Sequence, residues 1–309
     1  MKKYSDQIII IITFIILILI FLNKSLISST VITSFYIWFN TLVPSMFPMF
    51  VTSNILISYN FINYIPKHLT TLLMKIFNVS KEAVLVILIS LISGFPSNAL
   101  AIKTSYEMKL ITKEEAEHLL LICHFANPLF VLETIGVFYL KNNTYGIIIL
   151  LSHILSSIII GITLRHKNNP TKNNYITKTT SCQSFGTIFS LSIKKSVNTL
   201  LMISGTVSSF LIISTLICYI FKLNNIESMI IKGIFEMTMG LNSLSLLNIK
   251  DIYKVIISTM ILSFGGLSIH MQVISILDNK INYHNYFIGR IYQVIISIII
   301  SYTLFIILT

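Results

Sequence analysis

Apolar runs separated by short polar segments make up most of the chain. A helix needs about 20 mainly apolar residues to cross the hydrocarbon core of a bilayer, and several runs reach or approach that length. They cover residues 8–22, 30–59, 145–164, 185–221, 226–247, 251–277 and 283–308. The pattern therefore predicts an all-α, polytopic membrane protein.

Glycine and proline interrupt some of these runs. The run that begins at residue 83 stops at Gly94-Phe95-Pro96, and similar interruptions occur at 126–128 and at Gly265-Gly266. Proline lacks a backbone N–H, and glycine adopts conformations that other residues avoid. Backbone groups freed in hydrocarbon need partners, so such breaks persist inside protein or beside a cavity. We therefore predict discontinuous helices whose breaks form a binding site.

Breaks in both halves of the chain are typical of transporters built from inverted repeats. Because Gly94–Pro96 and Gly265-Gly266 each separate two short apolar segments, we interpret them as corresponding positions in two pseudo-symmetric repeats. The predicted organisation is an N-terminal membrane anchor (1–30), a first membrane repeat with breaks at 94–96 and 126–128 (31–164), a basic cytoplasmic linker (165–184) and a second membrane repeat with a break at 265–266 (185–309).

Charge refines this topology. The chain is 54% hydrophobic and 11% charged, and its net charge is +11. In a chain this apolar, we attribute the positive charge to loops that set the topology by the positive-inside rule. Segments 67–81 and 165–195 are basic and therefore predicted to be cytoplasmic. Three full crossings between them would place the linker outside. The conflict disappears if 83–109 is a re-entrant hairpin turning at 94–96, with arms of roughly 16 Å each.

The predicted substrate-binding residues flank the breaks. They are Gly94, Pro96, Ser97, Asn98, Asn127, Pro128, Glu236, Gly265, Gly266, Ser268, His270 and Gln272. An asparagine at a break either caps a half-helix or bonds a solute through its amide. Ser268, Gln272 and Ser275 share one helical face beyond the third break.

Two acidic residues, Glu133 and Glu236, fall within apolar segments, where an ionisable group is expensive and faces the bundle interior by default. Each is either functional, part of a structural ion pair, or a protonated carboxyl. His270 lies off the polar stripe and is either a packing residue or part of the site.

Catalytic and metal-binding signatures are missing from the sequence. It contains no nucleophile elbow, H-E-x-x-H motif or P-loop, and its three cysteines have no metal or redox spacing. No basic face interleaved with aromatic residues indicates a nucleic-acid partner. We expect no enzyme activity, no catalytic residues, no cofactor and no metal centre.

Several motifs resemble one known family. The runs SGFPSNALAIKTSYEMKLITKEEAEHLLLICHFANPLF (93–130) and FGGLSIHMQV (264–273) are similar to the sporulation integral membrane protein YlbJ family. TLVPSMFPMF (41–50) and IFEMTMG (234–240) resemble the other signatures of that family, in matching order. The family belongs with the nucleoside-recognition or gate-domain membrane proteins, which are related to concentrative nucleoside transporters.

The resemblance implies a role in endospore formation and a location in the mother-cell-derived outer forespore membrane. It further implies transport of a small anionic metabolite, dipicolinic acid, with a coupling cation as an additional expected partner. Transport of a nucleoside-type solute is one alternative. A non-transporting structural protein of the spore envelope is another.

Overall fold

The computed structural model describes residues 2–59, 61–164 and 184–309, and the side chains within them from residue 6 onward. The predicted linker lies outside the described residues except for Ser184. The described part of the chain forms fourteen α-helices in chain order: α1 Lys2–Leu22, α2 Lys24–Ile37, α3 Val43–Ser58, α4 Lys67–Phe77, α5 Lys81–Ser93, α6 Ser97–Glu107, α7 Lys113–Ile122, α8 Asn143–Thr163, α9 Phe185–Ile220, α10 Asn225–Phe235, α11 Met237–Ser245, α12 Asp251–Phe264, α13 Gly266–Leu277 and α14 His284–Leu308. Two π-helical segments, Trp38–Leu42 and Phe130–Tyr139, and a 3₁₀ turn, Phe61–Tyr64, complete the described elements.

Several helical stretches are long and apolar enough to cross a membrane. Within the described residues these five are Lys24–Ser58, Asn143–Thr163, Phe185–Ile220, Asp251–Leu277 and His284–Leu308. The prediction of an all-α, multi-pass membrane protein is therefore confirmed.

The α5–α6 segment forms a helical hairpin. Ser80 caps α5 by accepting a hydrogen bond from the Ala83 N–H at 3.2 Å. Gly94 ends α5 with a φ of +72°, and α6 starts after Pro96 and packs against α5. The two arms have 13 and 11 residues, so as helices they extend roughly 20 and 16 Å, less than the thickness of a bilayer core.

A second hairpin, α10–α11, turns at Glu236. Asn224 and Glu227 form a capping box at the start of α10, and Glu236 leaves the helical conformation between the two helices. The arms approach closely, since a Cβ on Gly240 would overlap the Cα of Gly233. The apolar pattern of the sequence predicts a single run over 226–247, because no proline marks this turn.

Each hairpin tip contacts a broken helix. A Cβ on Gly94 would overlap the backbone of Asn127, in the gap between α7 and the second π-helix. A Cβ on Gly266 would lie 3.0 Å from the Met237 nitrogen, at the tip of the other hairpin. The structure thus matches the turn at Gly94–Pro96 with the turn at Glu236. The sequence pattern instead pairs Gly94–Pro96 with Gly265-Gly266. In the structure Gly265-Gly266 corresponds to the break after α7.

The two halves therefore present the same order of elements: a long helix, a hairpin, a broken helix and a second long helix. The long helices pair across the halves, with α3 against α9 and α8 against α14.

Contacts between loops define two opposite ends of the bundle. At one end, Lys280 Nζ lies 2.6 Å from Glu107 Oε1, and Glu117 Oε1 accepts from the Asn282 N–H at 3.3 Å. At the other end, the Tyr145 hydroxyl donates to Asp251 at 2.9 Å. The first hairpin opens toward one end, and the second hairpin, whose last arm precedes α12, opens toward the other. The halves have inverted orientation.

Cysteine labelling tests this inversion. In a chain without native cysteines, we expect Met108→Cys and Asn279→Cys to react with a membrane-impermeant maleimide from the cytoplasmic side. Asn248→Cys, on an exposed residue beside the second hairpin, should react from the opposite side. Labelling of all three positions from one side would contradict the inverted arrangement.

The Glu107–Lys280 pair gives a small, pH-dependent contribution to stability. Its hydrogen bond holds the pKa of the Glu107 carboxyl below its ordinary value. A carboxyl of this kind stabilises the native state above its unfolded pKa of about 4.3, and this stabilisation is lost as the pH falls through the native pKa. We expect Glu107→Gln to lower the unfolding temperature slightly at pH 7, and the difference to shrink under acid. In a Lys280→Gln background the same change should have no further effect.

Candidate functional site

A pocket lies where the two hairpin tips meet α9 and α13. Its apolar wall includes Leu42, Met46, Ile203 and Val207, and the first hairpin contributes Phe95 and Pro96. In this conformation the cavity is narrow, with about 20 Å³ of room, enough for about one water molecule. A larger solute can therefore bind here only if the lining side chains move apart.

The polar wall of the pocket comes from the second half of the chain. Glu236 and Thr238 belong to the second hairpin, and Ser268 and Gln272 to α13. All four side chains are at least 99% buried. The structure therefore brings Pro96, Glu236, Ser268 and Gln272 of the predicted site into one cavity.

Glu236 acts as the N-cap of α11. One carboxyl oxygen accepts from the Met239 N–H at 2.8 Å, and the other accepts from the Thr238 hydroxyl at 3.1 Å. Both donors and the partial positive charge of a helix N-terminus favour an ionised carboxylate, whereas the full burial of this side chain favours the protonated form. Among the described residues no lysine or arginine lies within 4 Å of this carboxyl.

Gln272 presents an unpaired acceptor. Its Nε2 donates to Thr206 Oγ1 at 2.7 Å, while the Thr206 hydroxyl donates to the Met202 carbonyl at 2.9 Å. Because the single Thr206 proton is already used, its oxygen can only accept from Gln272, and this fixes the orientation of the amide. The Gln272 Oε1 and the Ser268 Oγ have no partner within the described structure. Buried polar atoms usually have a partner, so these two are available to a solute.

The side chains of Asn98 and Asn127 form hydrogen bonds with backbone groups. The Asn98 amide donates to the Cys123 carbonyl. The Asn127 oxygen accepts from the N–H groups of Leu129 and Phe130 at 2.9 and 3.2 Å, and its amide donates to the Ser45 carbonyl at 3.3 Å. Asn127 thus caps the π-helix that follows the break, whereas Asn98 bonds the end of α7 and does not cap α6.

The other predicted residues lie near the pocket without lining it. Ser97 and Pro128 are half-buried beside their breaks. Gly94 and Gly266 lie close to the backbone of other segments, and Gly265 lies close to the His124 side chain. His270 turns away, bonding the Phe264 carbonyl at 3.0 Å and the Tyr283 hydroxyl. Glu133 and Ser275 are exposed, so the polar stripe on α13 narrows to Ser268 and Gln272.

A buried polar cluster around α14 escaped the sequence analysis. Arg290 and Gln293 are fully buried and contact the last turn of α7 and the segment after it. Arg290 Nη2 donates to the Leu121 carbonyl at 3.1 Å, and Gln293 Nε2 donates to the His124 carbonyl at 3.4 Å. His153 Nε2 accepts from the Ala126 N–H at 3.0 Å. Side chains thus replace the helical partners that residues 121–126 lose at the break. An arginine inside the apolar run 283–308 was the available signal.

The fold and the pocket define an all-α, multi-pass membrane protein with paired hairpins and broken helices. The chain is similar to the sporulation integral membrane protein YlbJ of Bacillus subtilis (strain 168), with 25% identity over 298 residues that cover 84% of this chain and 73% of the relative. This similarity supports the assignment of the chain to the YlbJ family. No family model matches the chain, and no solved structure matches it.

Proposed function

We propose that the protein is a membrane transporter of a small anionic metabolite, and that this solute is dipicolinic acid during endospore formation. The observation that best supports a transport function is the pocket between the tips of two inverted hairpins. Its buried side chains include unpaired polar atoms at the point where both repeats meet. Such a position allows each hairpin in turn to expose the pocket to its own side of the membrane.

The similarity to a sporulation protein and the helix end beside the pocket support the proposed solute. The start of α13 is a helix N-terminus without a side-chain cap, and such an end attracts carboxylates. In this proposal the protein acts in the outer forespore membrane.

A coupling cation forms part of the proposal because the pocket also contains acceptors. The Glu236 carboxylate and the Gln272 Oε1 are oxygen ligands of the kind that hard cations prefer. A cation bound there would offset the repulsion between Glu236 and an anionic solute.

The same acceptors support a second candidate, a neutral nucleoside-type solute. The O–H and N–H groups of such a solute could donate hydrogen bonds to Glu236 and Gln272, and the Phe95 ring offers a stacking surface. Competition by unlabelled nucleosides for dipicolinate uptake distinguishes the two: effective competition favours the nucleoside, and no effect favours the dicarboxylate.

A cellular experiment tests the proposal. In a sporulating strain whose own relative is deleted, the wild-type chain should restore dipicolinate accumulation in spores, and Gln272→Ala should reduce it at least about tenfold. Asn127→Ala should instead reduce the amount of folded protein, because Asn127 caps the π-helix. Full accumulation with Gln272→Ala at normal protein levels would exclude the pocket as the transport site.

A further inference from the structure

Arg290 is a buried cation with no acidic partner in the described part of the chain. Its side chain is fully buried in α14, and the one ion pair among the described residues joins Glu107 and Lys280. The guanidinium contacts only neutral groups: the carbonyls of Leu121 and Tyr286, the Gln293 amide and the face of the Tyr286 ring. Because a charge at membrane depth is expensive, an arginine that balances no acid indicates a function.

His124 places an unpaired polar atom beside this charge. Its Nδ1 lies 2.8 Å from the Tyr286 hydroxyl, and its Nε2 is buried and has no hydrogen-bond partner among the residues that the structure describes. If Tyr286 donates its proton to Nδ1, the neutral imidazole carries its own proton on Nε2. That atom faces the break before α13, since a Cβ on Gly265 would lie 3.3 Å from it.

The Phe95 ring separates His124 from the pocket. It stacks on the imidazole with 4.6 Å between ring centroids and an angle of 17°, and it also lines the pocket. Ser268 lies on the pocket side of the same break, and its hydroxyl has no hydrogen-bond partner within the described ranges. If the Phe95 ring moved aside, the groups around His124 and Arg290 would therefore be connected to the cavity.

We propose that Arg290, His124 and the first turn of α13 form a carboxylate-binding subsite, which opens to the pocket when the Phe95 ring moves aside. This inference rests on the proposed transport of an anionic solute and specifies where its negative charge is bound. His124 Nε2 and the Ser268 hydroxyl donate to the carboxylate. Arg290 is a positioning residue: its charge stabilises the bound anion, and its hydrogen bonds hold the segment that carries His124.

The subsite gives the pocket two chemically different sides. Glu236 and the Gln272 Oε1 accept hydrogen bonds or bind a cation on one side. His124, Ser268 and the start of α13 donate on the other. A solute with a carboxylate is then preferred over an uncharged molecule of the same shape.

Ligand selectivity in purified protein tests the subsite. Binding of labelled dipicolinate is measured in lipid nanodiscs, with dipicolinate and its uncharged diamide as competitors. We expect the wild type to bind the dianion at least about tenfold more tightly than the diamide. Arg290→Gln should abolish this preference, whereas Arg290→Lys should restore part of it. Lys195→Gln removes one exposed positive charge from α9 and should leave the preference unchanged.

The outcomes separate the subsite from the transport proposal. A wild type that transports dipicolinate but prefers the diamide, or a folded Arg290→Gln protein with unchanged preference, overturns the subsite alone. A wild type that binds neither ligand overturns the proposed function as well. If Arg290→Gln does not fold, His124→Gln gives the same reading with Arg290 in place, and undiminished preference in that variant overturns the proposal.

Discussion

Replacing Gly94 with alanine should destabilise the protein by more than about 3 kcal/mol and abolish its transport. Gly94 has a φ of +72°, where a Cβ costs about 1–2 kcal/mol, and the added atom would also overlap the Asn127 backbone. Since the tip of the first hairpin and the break after α7 are in direct contact there, neither backbone can move without breaking the bond from the Phe95 N–H to the Phe125 carbonyl. Thermal unfolding in detergent measures the effect.

Gly205 provides a matched control. A Cβ on Gly205, in the middle of α9, would meet no atom within 4 Å. Gly205→Ala should therefore fold and transport like the wild type, or be stabilised slightly by the higher helix propensity of alanine. Equal unfolding temperatures for the Gly94 and Gly205 variants would contradict the described hairpin tip.

Replacing Glu236 with glutamine should reduce transport by about 10- to 100-fold while the protein still folds. The glutamine oxygen can still accept from the Met239 N–H, so the cap of α11 is retained. What is lost is a carboxyl that can carry a negative charge toward the pocket, and charge-assisted hydrogen bonds contribute about 1.5–3 kcal/mol. Initial uptake rates in vesicles, corrected for the amount of inserted protein, give the measurement.

Glu133→Gln is the corresponding control. Glu133 is the second acidic residue within an apolar segment, but it is exposed on the π-helix and does not line the pocket. Its replacement should leave uptake unchanged. A larger loss from Glu133→Gln than from Glu236→Gln would place the transport path elsewhere in the bundle.

The membrane class and the first hairpin could be predicted from sequence because their signals are local. Apolar runs of membrane-spanning length predict helices, and Gly94 with Pro96 stops a helix wherever it lies. The second hairpin was missed because it turns at Glu236 without a proline. Its turn depends on the contact between Gly233 and Gly240, which becomes visible only once the arms are packed.

The candidate site was predicted in part for a similar reason. Glu236, Ser268 and Gln272 are polar residues in apolar surroundings, and the structure places all three in the pocket. The direction of a side chain is a tertiary property, so the sequence could not show that Asn98 bonds the Cys123 carbonyl. Arg290 lies within the apolar run 283–308 and was missed, although a charged residue in an apolar run is itself a signal.

Uptake by purified protein in sealed vesicles tests the central claim most directly. Vesicles containing the wild type or Gly205→Ala should take up labelled dipicolinate faster than empty vesicles, and faster still with an inward cation gradient. Vesicles containing folded Glu236→Gln or Gln272→Ala should take it up at rates near those of empty vesicles. Wild-type vesicles that take up dipicolinate no faster than empty vesicles, under any cation gradient, would contradict the account.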